Sequence, residues 1–106
     1  MRCLALLLGL LAGAATAHPT SAPDEARRAQ LVDMIRQDCG ACHGLTLKGG
    51  LGPSLEPAAL AGRDAEVLSF VILNGRRGTP MPPWRAYLTE PEARWIADQL
   101  LHGLPR

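Results

Sequence analysis

Two cysteines and a histidine stand together in the run Cys39-Gly40-Ala41-Cys42-His43. Thiols at this spacing with an adjacent imidazole are able to hold a zinc ion, run thiol–disulfide exchange, or form thioethers to a haem. A four-ligand zinc site needs further Cys or His at suitable spacing, and the other histidines, His18 and His102, are remote. A thioredoxin-like pair needs a βαβ surround, and the sequence shows no such pattern. Haem attachment fits. Two intervening residues let both sulfurs reach the vinyl positions on one porphyrin edge, and the next residue then lies under the iron. One haem c, covalent through Cys39 and Cys42 with His43 as an iron ligand, is therefore expected.

A second ligand would have to come from elsewhere in the chain. The stretch Gly78-Thr79-Pro80-Met81-Pro82-Pro83-Trp84 surrounds one methionine with three prolines, which prevents regular structure and stiffens an extended loop. A stiff loop places a thioether at the sixth iron position with little conformational entropy left to lose. Met81 is thus the candidate distal ligand. His–Met ligation raises the reduction potential, and filling both axial positions keeps substrates off the iron. Met34 also carries a thioether, but it lies too close to Cys39 on the same helix to reach the face opposite His43, and reads as core. Trp84 reads as packing at the haem edge, with its indole N–H bonded to a propionate or carbonyl.

These residues need elements to position them. A helix is expected up to about Asp38, with Ser21 as N-cap, Pro23 in its first turn, and Leu31, Met34 and Ile35 on one apolar face. It runs directly into Cys39. Glycines 44, 49, 50 and 52 then allow tight turns and close approach to a flat cofactor. Pro53 is the candidate acceptor for the second ring N–H of His43, because ligating imidazoles are oriented by such bonds; the same residues also read as a plain Gly-Pro turn. Pro57 to Ala61 makes a short helical turn. A second helix runs from Asp64 as N-cap to a stop at Asn74-Gly75, with Val67, Leu68, Val71 and Ile72 at helical spacing. Arg63 is a candidate partner for a haem propionate and equally reads as a solvated side chain. A third helix opens with a capping box between Thr89 and Glu92 and carries Ala93, Ile96, Ala97, Leu100 and Leu101 on one face, ending at Gly103. It is expected to pack on the first helix, with Ala93 and Ala97 permitting close approach. His102 reads as a favourable charge in its last turn.

Composition narrows the function further. Met1-Arg2, the apolar stretch Cys3 to Ala14 and Ala15-Thr16-Ala17 form a cleavable signal peptide over residues 1–17, leaving 18–106 as one monohaem domain that starts at His18. The apolar run is shorter than the roughly 20 residues of a spanning helix, so no stable membrane insertion is expected after cleavage. Without Arg2 the domain has equal numbers of basic and acidic side chains, which disfavours nucleic acid as a partner. A domain this small, with four aromatic residues, gains much of its core from the haem itself.

The order of these elements resembles that of the small bacterial class I cytochromes c, over essentially the whole mature chain. The resemblance implies an all-α class I fold, about three main helices wrapped around one covalent haem c. It also implies Cys39 and Cys42 as thioether sites, His43 and Met81 as ligands and Pro53 as the carbonyl partner of His43. More narrowly, Cys39-Gly40-Ala41-Cys42-His43-Gly44, Gly49-Gly50-Leu51-Gly52-Pro53-Ser54-Leu55 and the Met81 stretch resemble the NirC-type cytochromes c of denitrifying bacteria. That family is associated with the cytochrome cd nitrite reductase, as electron donor or as helper in maturation of its d-type haem.

The expected function is a periplasmic one-electron carrier, not an enzyme, monomeric, meeting redox partner proteins in the nitrite reductase pathway. Lys48, Arg76, Arg77 and Arg85 are candidates for a basic rim and read equally as ordinary solubilising charges. Two other roles stay open: a helper in d-type haem maturation, and a haem enzyme or gas-binding protein in which Met81 is displaced.

Overall fold

The computed structural model describes Gly13 and residues 21–105. Apart from Gly13, the signal segment expected at 1–17 lies outside the described residues, as does His18. Helix α1 spans Glu25–Met34, continues through a wider turn at Ile35–Cys39 and passes into α2, Gly40–His43. Helices α3 (Pro57–Leu60), α4 (Ala65–Asn74) and α5 (Glu90–His102) follow, and no strand occurs among the described residues.

Helix α1 starts later than its sequence suggests. Asp24 is the N-cap, its carboxylate accepting the Arg27 N–H at 2.8 Å, and Ser21 caps nothing. Pro23 precedes the cap and is buried, and its carbonyl accepts from Arg28 Nε at 2.9 Å. An ionised carboxylate is both a cap and a favourable charge at the positive helix end, so Asp24 prevails over a serine three residues earlier. The turn at Ile35–Cys39 bonds at i→i+5. One extra residue in a helix rotates everything after it by about 100°. Ile35 stays on the buried face with Leu31, both fully buried, and after the wide turn Cys39 is half-buried against the core while Cys42 is exposed.

The core gathers Leu31, Ile35, Leu47, Leu60, Leu73, Leu88, Ala93, Ile96 and Leu100. Val32 is also buried, outside the expected face. α5 packs on the first helix through side chains, as expected, with Leu31 and Ile35 sharing the core with Ala93, Ile96 and Leu100, but the close backbone approach expected there is made to α4 instead. The reason is volume. Leu31, Ile35 and Ile96 are the largest fully buried side chains, and a layer of that size holds two helix backbones apart. Ala93 and Ala97 are fully buried nonetheless.

Side chains join α1 to α5. Arg27 Nε donates to Glu92 Oε1 at 2.7 Å and its Nη2 to Oε2 at 3.3 Å, a bidentate pair. Glu92 also completes the capping box, Oε2 accepting the Thr89 N–H at 2.9 Å while Thr89 Oγ1 accepts the Glu92 N–H at 3.3 Å. The bond from Arg27 holds the Glu92 carboxyl below the ordinary carboxylate range. A depressed folded pKa contributes stability above the unfolded value of about 4.3, lost as pH falls through the folded value. Glu92→Gln keeps the capping geometry and removes the charge. It should cost about 1 kcal/mol at neutral pH, and the gap in thermal midpoint between variant and parent should close as acid protonates Glu92.

Candidate haem-attachment site

His43 ends α2, and the loop that follows is folded back onto it. The Gly52 N–H donates to the Cys42 carbonyl and the Gly49 N–H to the His43 carbonyl, both at 2.8 Å, capping the last carbonyls of the helix. Leu47 anchors the loop: it is buried, its carbonyl accepts from the Leu55 N–H at 2.9 Å and Ser54 Oγ at 3.2 Å, and its φ of 60° lies in the left-handed region. A branched side chain in that region costs on the order of 1–3 kcal/mol, offset here by burial and these bonds.

The loop delivers the Pro53 carbonyl to His43 Nδ1 at 2.6 Å. A carbonyl can only accept, so Nδ1 carries the proton and Nε2 presents a lone pair. This is the tautomer a metal needs on that nitrogen. Gly52 lies flat against the ring: a Cβ there would come within 2.8 Å of His43 Cε1 and Nδ1. Gly52→Ala should therefore push the ring or the loop aside and lengthen the bond to Pro53. The expected result is a stability loss of about 1–3 kcal/mol in thermal unfolding and, because a weaker bond to Pro53 leaves the imidazole a poorer electron donor, a raised reduction potential in potentiometry.

Cys39 is half-buried against the core and Cys42 is exposed. Burial, chiefly, pushes the Cys39 thiol up to about 11. Thiol–disulfide enzymes work through lowered thiol pKa values, so this environment opposes that reading of the pair.

The face of α4 carrying Val67, Leu68, Val71 and Ile72 is less buried than its spacing suggests. Val67 is 56% exposed, whereas the buried residue of the helix is Leu73, on the opposite side at 4%. Leu68 and Ile72 reach the core at their inner edges. An apolar helix face that protein covers only in part suits a large flat apolar group. Together with the free Nε2 and the glycine packed on the ring, it makes the donor set and surroundings fit haem c.

The Met81 loop is clamped to the end of α4. The Trp84 N–H donates to the Ile72 carbonyl at 3.1 Å and the Arg85 N–H to Leu73 at 3.2 Å. The Met81 carbonyl accepts the Arg76 N–H at 3.2 Å, and the Met81 N–H donates to Thr79 Oγ1 at 3.3 Å, so both backbone groups of Met81 are engaged. Gly75 (φ 68°) sits beneath, where a Cβ would come within 2.6 Å of the Met81 carbonyl. Trp84 is half-buried on the core and stacks obliquely on Tyr87, ring centroids 5.9 Å apart. The structure thus joins His43 to Pro53, and Met81 and Trp84 to α4. It joins Arg63 to neither: the Arg63 side chain is exposed and makes no hydrogen bond or ion pair among the described residues. The sequence marks Gly75 as a helix stop but does not reveal its close approach to the Met81 carbonyl or the clamp made by Thr79. A threonine two residues before the key side chain, directly after a Gly-Arg-Arg-Gly turn, is the signal of a side-chain-to-backbone clamp.

Comparison with known proteins agrees with this geometry. Residues 26–99 match the protein family described as cytochrome c oxidase, cbb3-type, subunit III. The chain is similar to cytochrome c55X of Paracoccus denitrificans, 61% identical, with 95% of each chain covered. The solved structure of a c-type cytochrome NirC superimposes with a TM-score of 0.75 at 51% identity, over 77% of this chain and 96% of that one. The whole chain also aligns at 38% identity with 20% of a dihydro-heme d1 dehydrogenase of Pseudomonas aeruginosa.

Proposed function

Because the chain belongs to the c-type cytochrome family that groups cytochrome c55X with NirC, an all-α class I fold that carries covalent haem c, we propose that it is a periplasmic one-electron carrier of the denitrification pathway. In this reading Cys39 and Cys42 hold the haem, His43 and Met81 are its axial ligands, Pro53 orients His43, Trp84 packs at its edge, and Arg63 reaches a propionate. The bound haem supplies one-electron chemistry between ferric and ferrous iron.

The observation that carries the reading is the double backbone restraint on Met81. A ligand strand held at both its N–H and its carbonyl keeps one geometry in both redox states, which keeps reorganisation small. The Pro53 carbonyl accepts from His43 Nδ1, which leaves the Nε2 lone pair for the iron. No helix among the described residues is long and apolar enough to cross a membrane, and the reading takes the protein to be exported through its 1–17 segment and to act as a monomer. Its partners are redox proteins, with the cytochrome cd nitrite reductase as the expected one. The oxidised optical spectrum tests it: a near-infrared sulfur-to-iron charge-transfer band is expected, and a high-spin spectrum, as of a haem enzyme or gas sensor with Met81 displaced, would overturn it.

A second reading is favoured by the full-length alignment with a segment of the dihydro-heme d1 dehydrogenase. A dehydrogenation removes two electrons and two protons, whereas one haem module accepts a single electron at a time. A free cytochrome of the same build then serves as external acceptor, turning over twice per d-type haem matured. If a strain lacking this protein still loads its nitrite reductase fully with d-type haem, this role is wrong and the carrier role stands alone.

A further inference from the structure

Charge is distributed unevenly along the chain. From Val67 to Thr89 there are three arginines, Arg76, Arg77 and Arg85, and no carboxylate. Arg85 is already engaged, its Nη1 lying 3.5 Å from Glu90 Oε1 and its Nη2 donating to Asn74 Oδ1 at 3.3 Å. The side chains of Arg76 and Arg77 are exposed and form no ion pair or hydrogen bond among the described residues. The basic rim of four residues suggested by composition therefore contracts, on this stretch, to two adjacent cations.

The backbone beneath them is closed and rigid. The Arg76 carbonyl accepts from the Thr79 N–H at 3.2 Å and from Thr79 Oγ1 at 2.7 Å, while the Arg76 N–H donates to the Met81 carbonyl. Arg76 thus ties both ends of the strand that leads to Met81. A fixed turn presents its charges with no loop-ordering cost on association, and that saving goes directly into affinity. Whatever seats on Arg76 and Arg77 is also held against the strand that carries Met81, the axial ligand in the reading above.

We propose that the Gly75–Met81 turn is the docking element of the protein, and that its partner presents a carboxylate-rich surface around its own redox centre. The inference rests on the carrier reading and adds the site and sign of recognition. In each encounter one electron passes from ferrous haem to the oxidant, and no proton or bond is exchanged. Steering of this kind raises association rates by tenfold or more at low ionic strength and fades with salt.

The test uses the intact haem protein in its reduced state and two oxidants of opposite charge, hexacyanoferrate(III) and tris(phenanthroline)cobalt(III). In R76E/R77E the rate with hexacyanoferrate at low ionic strength should fall about tenfold and the rate with the cobalt complex should rise. The variant R76Q/R77Q should lie between, and Arg36→Glu on the first helical run should leave the ratio of the two rates much closer to that of the parent than Arg76→Glu does, a substitution that makes the same change of two charges. Poly-L-glutamate should slow the hexacyanoferrate reaction of the parent and have no effect on R76E/R77E. Unchanged rates in R76E/R77E, or an equal fall with both oxidants, overturn the proposal. Failure of the carrier reading has a separate signature, the absence of the near-infrared band from the unmutated protein whatever the two rates do.

Discussion

Replacing Cys39 and Cys42 together by alanine yields a chain without covalent haem that loses its cooperative thermal transition. The domain is near the lower size limit at which apolar burial alone sustains a fold, and among the described residues the largest fully buried side chains are Leu31, Ile35 and Ile96. The outer face of α4 is apolar yet little covered by protein, Val67 being 56% exposed. Total stabilities of such domains are about 5–15 kcal/mol, so, in the reading proposed above, losing a haem shared by α4, the Met81 loop and the His43 loop would consume most of that margin. The measurement is circular dichroism against temperature, with haem-stained electrophoresis to show that attachment is lost. The single variants Cys39→Ala and Cys42→Ala should retain haem through one thioether in lower yield. Retention of a sharp transition near the parent midpoint in the double variant would show that the protein core suffices.

Met81→Ala should abolish the near-infrared band, open the iron to exogenous ligands such as imidazole or carbon monoxide, and lower the reduction potential by roughly 0.1–0.3 V, within the span of about 0.8 V that axial ligation commands. The fold should survive, because Met81 is only partly buried and lies outside the core cluster. The loop is held by its backbone: the bonds from Trp84 to Ile72, from Arg85 to Leu73 and from Arg76 to the Met81 carbonyl do not involve the thioether. Potentiometry and ligand titration separate this outcome from simple unfolding. A variant that keeps the parent potential and refuses carbon monoxide would remove Met81 from the iron.

Local chemistry accounts for what could be read in the sequence. The attachment run, the Pro-flanked methionine, the Asp64 and Thr89 caps and the glycine stops each depend on residues a few positions apart, and the structure has α4 and α5 beginning at those caps. The hydrogen bond from His43 to Pro53 was also anticipated, because an oriented imidazole needs an acceptor and a proline carbonyl on a short loop is within reach. One misreading is local: Ser21 reads as a cap with Pro23 in the first turn, yet the Asp24 carboxylate, a charged acceptor three residues later, takes that role. The other arises where neighbours distant in sequence decide. The face of α4 built on Val67 looked like core, but Leu73 on the other side is the residue buried.

By itself the sequence determined the haem-attachment run, the imidazole beside it and the loop stiff enough to present a thioether, since these follow from residue type and short spacing. Only the tertiary structure decided that the α5 backbone lies close to α4, that an extra helical residue widens the turn at Ile35–Cys39 just before the attachment residues, and that Arg76 and Thr79 lock the Met81 strand. The physical reason is that helix packing is set by the volume of side chains from separate segments, and a loop clamp by the meeting of donors and acceptors once the chain has folded. Neither quantity is carried by a periodic pattern along the chain.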